Sequence, residues 1–319
     1  MGRRSSVVEP EVLNELEERL GRVHARVRLG MEAGFEQQIF GHGLNFFHPE
    51  NWYAAQHLIR FCLKVSGLYW RGRANTARIR VRHNRVVSGM LPASFDGFTI
   101  LQISDPHADM NRPAMERLVQ ILPDLHYDLC VLTGDYRGLC AGPYDAAMDS
   151  VSRVRPHLRE PVYGVLGNHD TIRMVPRLEG MGIRMLLNEN ETILRGRERI
   201  HLVGVDDAHY YRADNIEKAA EGVPHDEFSV LLSHTPEIFR QAAHAGFNLM
   251  LSGHTHGGQL CLPGSIPITL DSVLPRRYGA GAWSYRGMAG YTSVGVGSSV
   301  VEVRFNCPPE ITLHHLHCA

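Results

Sequence analysis

From about residue 77 onward, short apolar runs stop abruptly at polar clusters. "FTILQISD" (98–105), "LCVLTGD" (129–135), "VYGVLGNHD" (162–170), "FSVLLSH" (228–234) and "FNLMLSGH" (247–254) each read as a buried strand ending in Asp, Asn or His. "RIRVRHNRVV" (78–87) alternates instead, as an edge strand with one wet face does. Between the strands lie helical signals. Asn111-Arg112-Pro113 offers cap chemistry to a helix whose Met115, Leu118, Val119 and Leu122 share a face. Strands alternating with helices predict an α/β domain, and ligands of open α/β sheets gather at the carboxyl ends of strands.

Residues 1–76 follow a different pattern and are expected to form an N-terminal helical extension, with the α/β domain spanning 77–319. Val12, Leu13, Leu16 and Leu20 form a modest apolar stripe on a charged helix. In "NWYAAQHLIRFCLKVSGLYW" (51–70), Gln56, Arg60 and Lys64 recur every four residues on one face, and aromatic and aliphatic side chains occupy most of the rest. "RGRANTARIRVRHNR" follows directly, with six arginines in fifteen residues. An apolar helix beside a basic cluster suits an anionic membrane surface, here through residues 51–85. The competing expectation is a helix packed on the domain, with the arginines on an exposed strand face.

Composition narrows the picture. The chain has 319 residues, 44% of them hydrophobic, enough for a substantial core. A formal net charge of −1 gives no global bias toward nucleic acid, and no aromatic platform accompanies the arginines, which disfavours a nucleic-acid partner. The six cysteines form no C-x-x-C pair, as expected of free thiols in a reducing compartment. The N-terminus lacks the apolar core of a secretory signal, and no run of eighteen apolar residues occurs. A cytoplasmic protein is expected, peripheral on the inner face of the membrane if the 51–85 region docks there.

The polar clusters, in order, are Asp105-Pro106-His107, Gly134-Asp135, Gly167-Asn168-His169-Asp170, Ser233-His234 and Gly253-His254-Thr255-His256. Taken singly, each has an ordinary structural explanation. Asp105 and Asp135 could cap following helices, His234 could precede a helix start, and Asn168 could make an Asx-turn. Together they offer hard oxygens and borderline imidazoles suited to Mn²⁺, Fe²⁺ or Zn²⁺, whereas a Ca²⁺ or Mg²⁺ cage would be all oxygen. Seven candidate ligands exceed the needs of one ion and point to two divalent ions, which a carboxylate such as Asp135 could bridge. Along an extended backbone His254 and His256 would point the same way, into one cleft.

The ordered series D-x-H, G-D, G-N-H-D, H and G-H-x-H resembles the calcineurin-like metallophosphoesterase superfamily, over roughly residues 77–319. "LSGHTHGGQ" followed by "LPG", with "GVDDAH" and "RFNCPPEITL", resembles its bacterial phosphodiesterase branch. The resemblance implies a four-layer α/β/β/α sandwich of two mixed sheets with a dinuclear site at one edge. It implies that Asp105, His107 and His256 hold one ion and Asn168, His234 and His254 the other, with Asp135 bridging. His169 would face the substrate as the catalytic residue. Two such ions can share a water and present hydroxide to a phosphoester at neutral pH.

A phosphodiester or pyrophosphate bond is the expected target, and a lipid-linked substrate such as UDP-diacylglucosamine would suit the 51–85 region. The alternatives are a phosphomonoesterase or nuclease-like diesterase on a soluble substrate, and a non-catalytic scaffold, which should have lost a ligand. His209 and Arg212 could line the substrate cleft, since Arg can fork onto phosphate, although caps and surface salt bridges explain this loop almost as well. His314, His315 and His317 are expected to be exposed on a terminal strand. Oligomeric state is not legible.

Overall fold

The computed structural model describes residues 10–39, 53–270, 272 and 274–319. Helix α1 (Pro10–Leu20) meets α2 (Arg22–Ile39) at the left-handed Gly21. Leu16 and Leu20 of the expected α1 stripe are buried, and Val12 and Leu13 are partly so. All four belong to the same apolar cluster as the strands described below. The 51–70 segment gives two helices, α3 (Tyr53–Val65) and α4 (Leu68–Asn75), separated at Gly67, whose φ of 71° suits a residue without Cβ. Trp52 and the side chains of Tyr53 and Gln56 lie outside the described residues.

Two mixed six-stranded sheets form the body. In the first, β1 (Arg80–Ser88) is the edge strand that its alternation predicts, parallel to β14 (Glu310–Cys318). Antiparallel to β14 runs β2 (Thr99–Ile103), followed in parallel by β3 (Leu129–Leu132), β4 (Val162–Gly164) and β5 (Arg184–Met185). The second sheet begins at the far edge with β6 (Glu189–Arg195), antiparallel to β7 (Glu198–Gly204). It continues in parallel through β8 (Ser229–Leu232) and β9 (Leu249–Ser252). A short hairpin, β10 (Cys261–Leu262) and β11 (Ile266–Pro267), precedes β12 (Gly281–Tyr285), which pairs antiparallel with β13 (Met288–Thr292) beside β9.

The two-residue pleat sorts the apolar runs into layers. Ile100, Leu129 and Val131 of the first sheet share a core with Leu202, Val230, Leu232, Leu249 and Leu251 of the second. Their neighbours Leu101, Ile103, Cys130 and Leu132 turn outward and pack with α1, α2, α5 (Arg112–Ile121), α6 (Asp145–Val154) and α7 (Val175–Gly180). On the opposite side Val203, Leu231 and Met250 pack with α8 (Ile216–Ala219) and α9 (Phe239–His244). The result is the expected α/β/β/α sandwich. Strands buried on both faces read as unbroken apolar runs, which is why the sequence showed no alternation there. Asn111 caps α5 by accepting the Ala114 N–H at 3.2 Å.

One expectation about the end of the chain fails. His314 is buried: its ring bonds Asn84 at 3.0 Å and the Gln102 amide oxygen at 3.0 Å, so β14 is a covered strand beside the edge. His315 and His317 are half-buried.

Candidate metal centre

Loops leaving β2, β3, β4, β8 and β9 converge at one edge of the sandwich. They carry Asp105 and His107, Asp135, Asn168 and His169, His234, and His254 and His256, all buried. The backbone there is unusual. Asp105 (φ 51°), His107 (φ 37°), Asp135 (φ 58°), His254 (φ 73°) and His256 (φ 50°) are all left-handed. Each such non-glycine residue costs on the order of 1–3 kcal/mol, which the surrounding packing must offset.

The extended geometry expected for His254-Thr255-His256 is not what forms. Thr255 sits at φ −71°, ψ −13°, and a tight turn over His256–Gly258 is closed by the Gly257 N–H on the Thr255 hydroxyl. Gly253 has a different task from Gly257 and Gly258. A Cβ at 253 would fall 1.9 Å from Ser104 Oγ and 2.3 Å from Asp105 Oδ2, so the two sheet edges approach only over glycine.

Three groups of donor atoms lie within 4.8 Å of one another: Asp105, His107 and His256; His107, Asp135 and His169; and Asp135, His234 and His254. His107 Nε2 is 3.0 Å from His256 Nε2, and His234 Nε2 is 3.2 Å from Asp135 Oδ2 and 3.0 Å from Asn168 Oδ1. The outer ring nitrogens explain the orientation. His107, His169 and His234 each place Nδ1 at 2.8 Å from a backbone carbonyl, of Arg137, Gly138 and Thr133. Nδ1 therefore carries a proton in each, which turns Nε2 inward, a recurrent arrangement around metal sites. His254 Nε2, an acceptor in the neutral ring, is buried without a partner, and Asn168 turns its amide oxygen inward, 3.0 Å from His234 Nε2. The converging imidazole nitrogens and carboxylate oxygens, with the orphaned His254 Nε2, fit divalent cations of the Mn, Fe or Zn type.

Charge in the cluster is arranged accordingly. Burial alone would raise the Asp135 carboxyl, but His234, His169 and His107 hold it well below the ordinary range. Burial would likewise lower His234, yet Asp135 and Asp105 carry it up to about 10. A metal at His234 Nε2 must therefore displace a proton. Burial pushes His169 down to about 4, and lowers His254 and His256 further below their ordinary value.

A supporting layer surrounds these groups, and most of it was not legible in sequence. The Asp170 carboxylate accepts the backbone N–H groups of Asp135, Tyr136 and Gly167, each at 2.8 Å, and so joins two of the loops. Its place in Gly-Asn-His-Asp was the available signal. Arg137 donates to the His169 carbonyl. Arg304, fully buried, lies 3.1 Å from His256 Nδ1.

The N-terminal helices reach the same loops. Arg28 of α2 is fully buried, 3.3 Å from Asp206, 2.9 Å from Glu32 and 3.5 Å over the Tyr211 ring, and it donates to the Asp170 carbonyl at 3.2 Å. His24 meets Asp206 at 2.9 Å, and Glu32 takes the Thr171 hydroxyl and the Ile172 N–H. In sequence Arg28 and Glu32 read as an ordinary surface i,i+4 pair.

The His209 ring packs 4.2 Å from that of His254 and bonds Glu237 at 2.9 Å, while neighbouring Asp207 accepts the N–H groups of Tyr210 and Tyr211. A cleft of about 160 Å³ opens onto the cluster, walled by Asp135, His169, His254 and His256 and by apolar Ile59, Leu260 and Val301. Neither His209 nor Arg212 is among the residues lining it, and Arg212 is exposed.

Comparison with known proteins agrees with this geometry. Residues 98–258 match the calcineurin-like phosphoesterase family. The uncharacterized metallophosphoesterase YkoQ of Bacillus subtilis is 27% identical over 227 residues, covering 68% of this chain and 83% of its own. Phosphodiesterase YaeI of Escherichia coli is 30% identical, over 59% of this chain and 70% of its own. A transmembrane protein with metallophosphoesterase domain from Danio rerio is 29% identical over 70% of this chain, which spans about half of that longer relative (54%). Such hydrolases act on phosphoester bonds with a binuclear divalent metal site, which the three donor groups can supply. With its ordered strand-end donors and paired sheets, this chain belongs to the calcineurin-like phosphoesterase family.

Proposed function

We propose that the protein hydrolyses a phosphodiester or pyrophosphate bond of a lipid-linked substrate, UDP-diacylglucosamine being one of that class. The observation that carries the reading is the sharing of Asp135 between two donor groups directly beside an apolar wall. In this assignment Asp105, His107 and His256 hold one ion, Asn168, His234 and His254 the other, and Asp135 bridges them. Divalent ions held by these residues would supply water activation and charge withdrawal from the phosphoryl oxygens.

The chain's own residues do the rest. Asp170 and the backbone N–H groups it holds keep the Asp135 and His169 loops in register. His169 gives Nδ1–H to the Gly138 carbonyl, so Nε2 is the atom facing the reacting group. A proton held at Nε2 would pass to the leaving oxygen. Ile59, Leu260, Val300 and Val301 exclude water on one side of the cleft and would receive an apolar part of the substrate. The name phosphodiesterase carried by one relative and the membrane link in another's name fit this direction. In this reading the substrate is met from a peripheral position on the inner face of the membrane; among the described residues no helix is long and apolar enough to cross one.

The test is a screen of Mn²⁺-loaded protein against phosphomonoesters, aryl phosphodiesters, nucleotide sugars and lipid-linked pyrophosphates. Turnover should be greatest on the last class and should vanish with chelator. Preference for a soluble monoester or nucleic acid would overturn the substrate, and no turnover with any metal would overturn the enzyme. His169→Ala is expected to keep both metals while losing roughly 10²–10⁴ in kcat, the usual worth of a general acid. Metal analysis beside steady-state kinetics checks this, and full activity would remove the residue from the mechanism.

A further inference from the structure

The rim of the cleft carries a surface that catalysis does not use. On α3, Leu58, Phe61 and Val65 are 62%, 64% and 72% exposed and fall on one outward stripe. On α4, Leu68 and Trp70 are exposed as well. The inner side of α3 is packed: Ile59 and Leu63 contact the cluster of Tyr69, Val301 and Val303, and Ile59 walls the metal cleft. One helix thus closes the cleft inwardly and leaves a large apolar stripe bare outwardly.

The β10–β11 hairpin, flanked by residues of the same cleft, repeats the pattern. Leu262, Ile266 and Ile268 are exposed, while Leu260 and Thr269 at its ends line the cleft.

Charge completes the surface. A groove of about 570 Å³ beside α4 is lined by Arg71, Arg78, Arg80 and Arg117 and by no carboxylate. Among the described residues none of these four forms an ion pair. Between Glu50 and Asp96 the chain has eight Lys or Arg residues and no acidic one. Large apolar side chains turned outward beside arginines are the pattern of an interfacial helix, although Arg73 and Arg82 nearby are paired with Glu302 and Glu310. The headgroup layer of an anionic bilayer matches both features, receiving apolar side chains at the acyl boundary and offering phosphates to the guanidinium groups.

The geometry points to one docking face for an anionic membrane, made of the exposed apolar side chains of α3 and α4, the β10–β11 hairpin and the arginine groove, with the cleft mouth turned to the lipid. The face rests on the phosphoesterase reading only for what the mouth admits.

Sedimentation of the full, metal-loaded chain with vesicles tests it, using phosphatidylcholine with and without phosphatidylglycerol. Binding should require phosphatidylglycerol and weaken in high salt, which screens exposed charge. Phe61→Ser with Val65→Ser and Trp70→Ser, and separately Arg78→Ala with Arg80→Ala, should each weaken it by roughly tenfold or more. Both variants should keep the wild-type melting profile and turn over a soluble aryl phosphodiester at the wild-type rate. Equal binding to neutral vesicles, absence of binding, or wild-type binding by the triple serine variant overturns the docking face. Turnover of the soluble diester reports on the catalytic reading alone, so failure of either idea is seen separately.

Discussion

Asp135→Asn is expected to strip both metals together and to lower turnover by roughly 10²–10⁴, the loss of several kcal/mol of charge stabilisation that two ions provide. The substitution is nearly isosteric, and the amide oxygen can still accept the His169 N–H that Oδ1 takes at 2.9 Å. What disappears is a negative charge that His234, His169 and His107 keep ionised despite full burial. That charge faces His107 on one side and His234 and His254 on the other. Metal content, measured on the variant after gel filtration, should fall in parallel at both sites. A variant retaining one tightly bound ion would show that Asp135 serves a single site. The chelated protein should also lose stability, because His234, carried up to about 10 chiefly by this carboxylate, is left buried without its main partner.

Arg28→Met should be the most damaging change outside the metal cluster. It leaves Asp206 and Glu32 as buried carboxylates without their guanidinium, and breaking a buried ion pair from one side costs about 3–5 kcal/mol. Denaturant unfolding measures the loss. Activity should fall as well, because Glu32 holds Thr171 and Ile172 directly after the His169–Asp170 turn.

The acid limb supplies a second readout. Burial raises the Asp206 carboxyl, but Arg28 and His24 bring it below its ordinary value. Its stabilising contribution is therefore fully present above the unfolded pKa, about 3.9, and is lost as pH falls through the lowered folded value. Arg28→Met should remove that contribution and flatten stability against pH in this acidic window. A change below about 1 kcal/mol, the size of a surface pair, would mean that α2 is dispensable to the loop.

These two residues also mark how unevenly the site was legible. Asp135 follows "LCVLT" and a glycine, a local pattern in which strand, turn and donor are contiguous in the chain. The other strand-end donors announced themselves in the same way. Arg28 lies 142 positions from Asp170 and 178 from Asp206, in a segment whose charges look solvated. Its burial follows from α2 packing across the loops, which no local window contains. Ile59 was visible as one apolar residue on a helix, but its place in the metal cleft was not. His314 was misjudged for a related reason: whether a terminal strand is wet depends on β1 covering it.

Local order by itself determined the strands, their sequence along the chain, the polar clusters at their ends and the chemistry those donors favour. Each of these depends on neighbours within a few residues, so periodicity and residue type suffice. Tertiary structure decided which donors meet, that the His254–His256 turn is left-handed at both histidines, and that Gly253 serves close approach to Asp105. It also decided that Arg28 braces the His169 loop and that α3 walls the cleft with one face while baring another. Those outcomes depend on the mutual placement of two sheets and the helices laid over them, and contacts across such distances leave no period in the sequence.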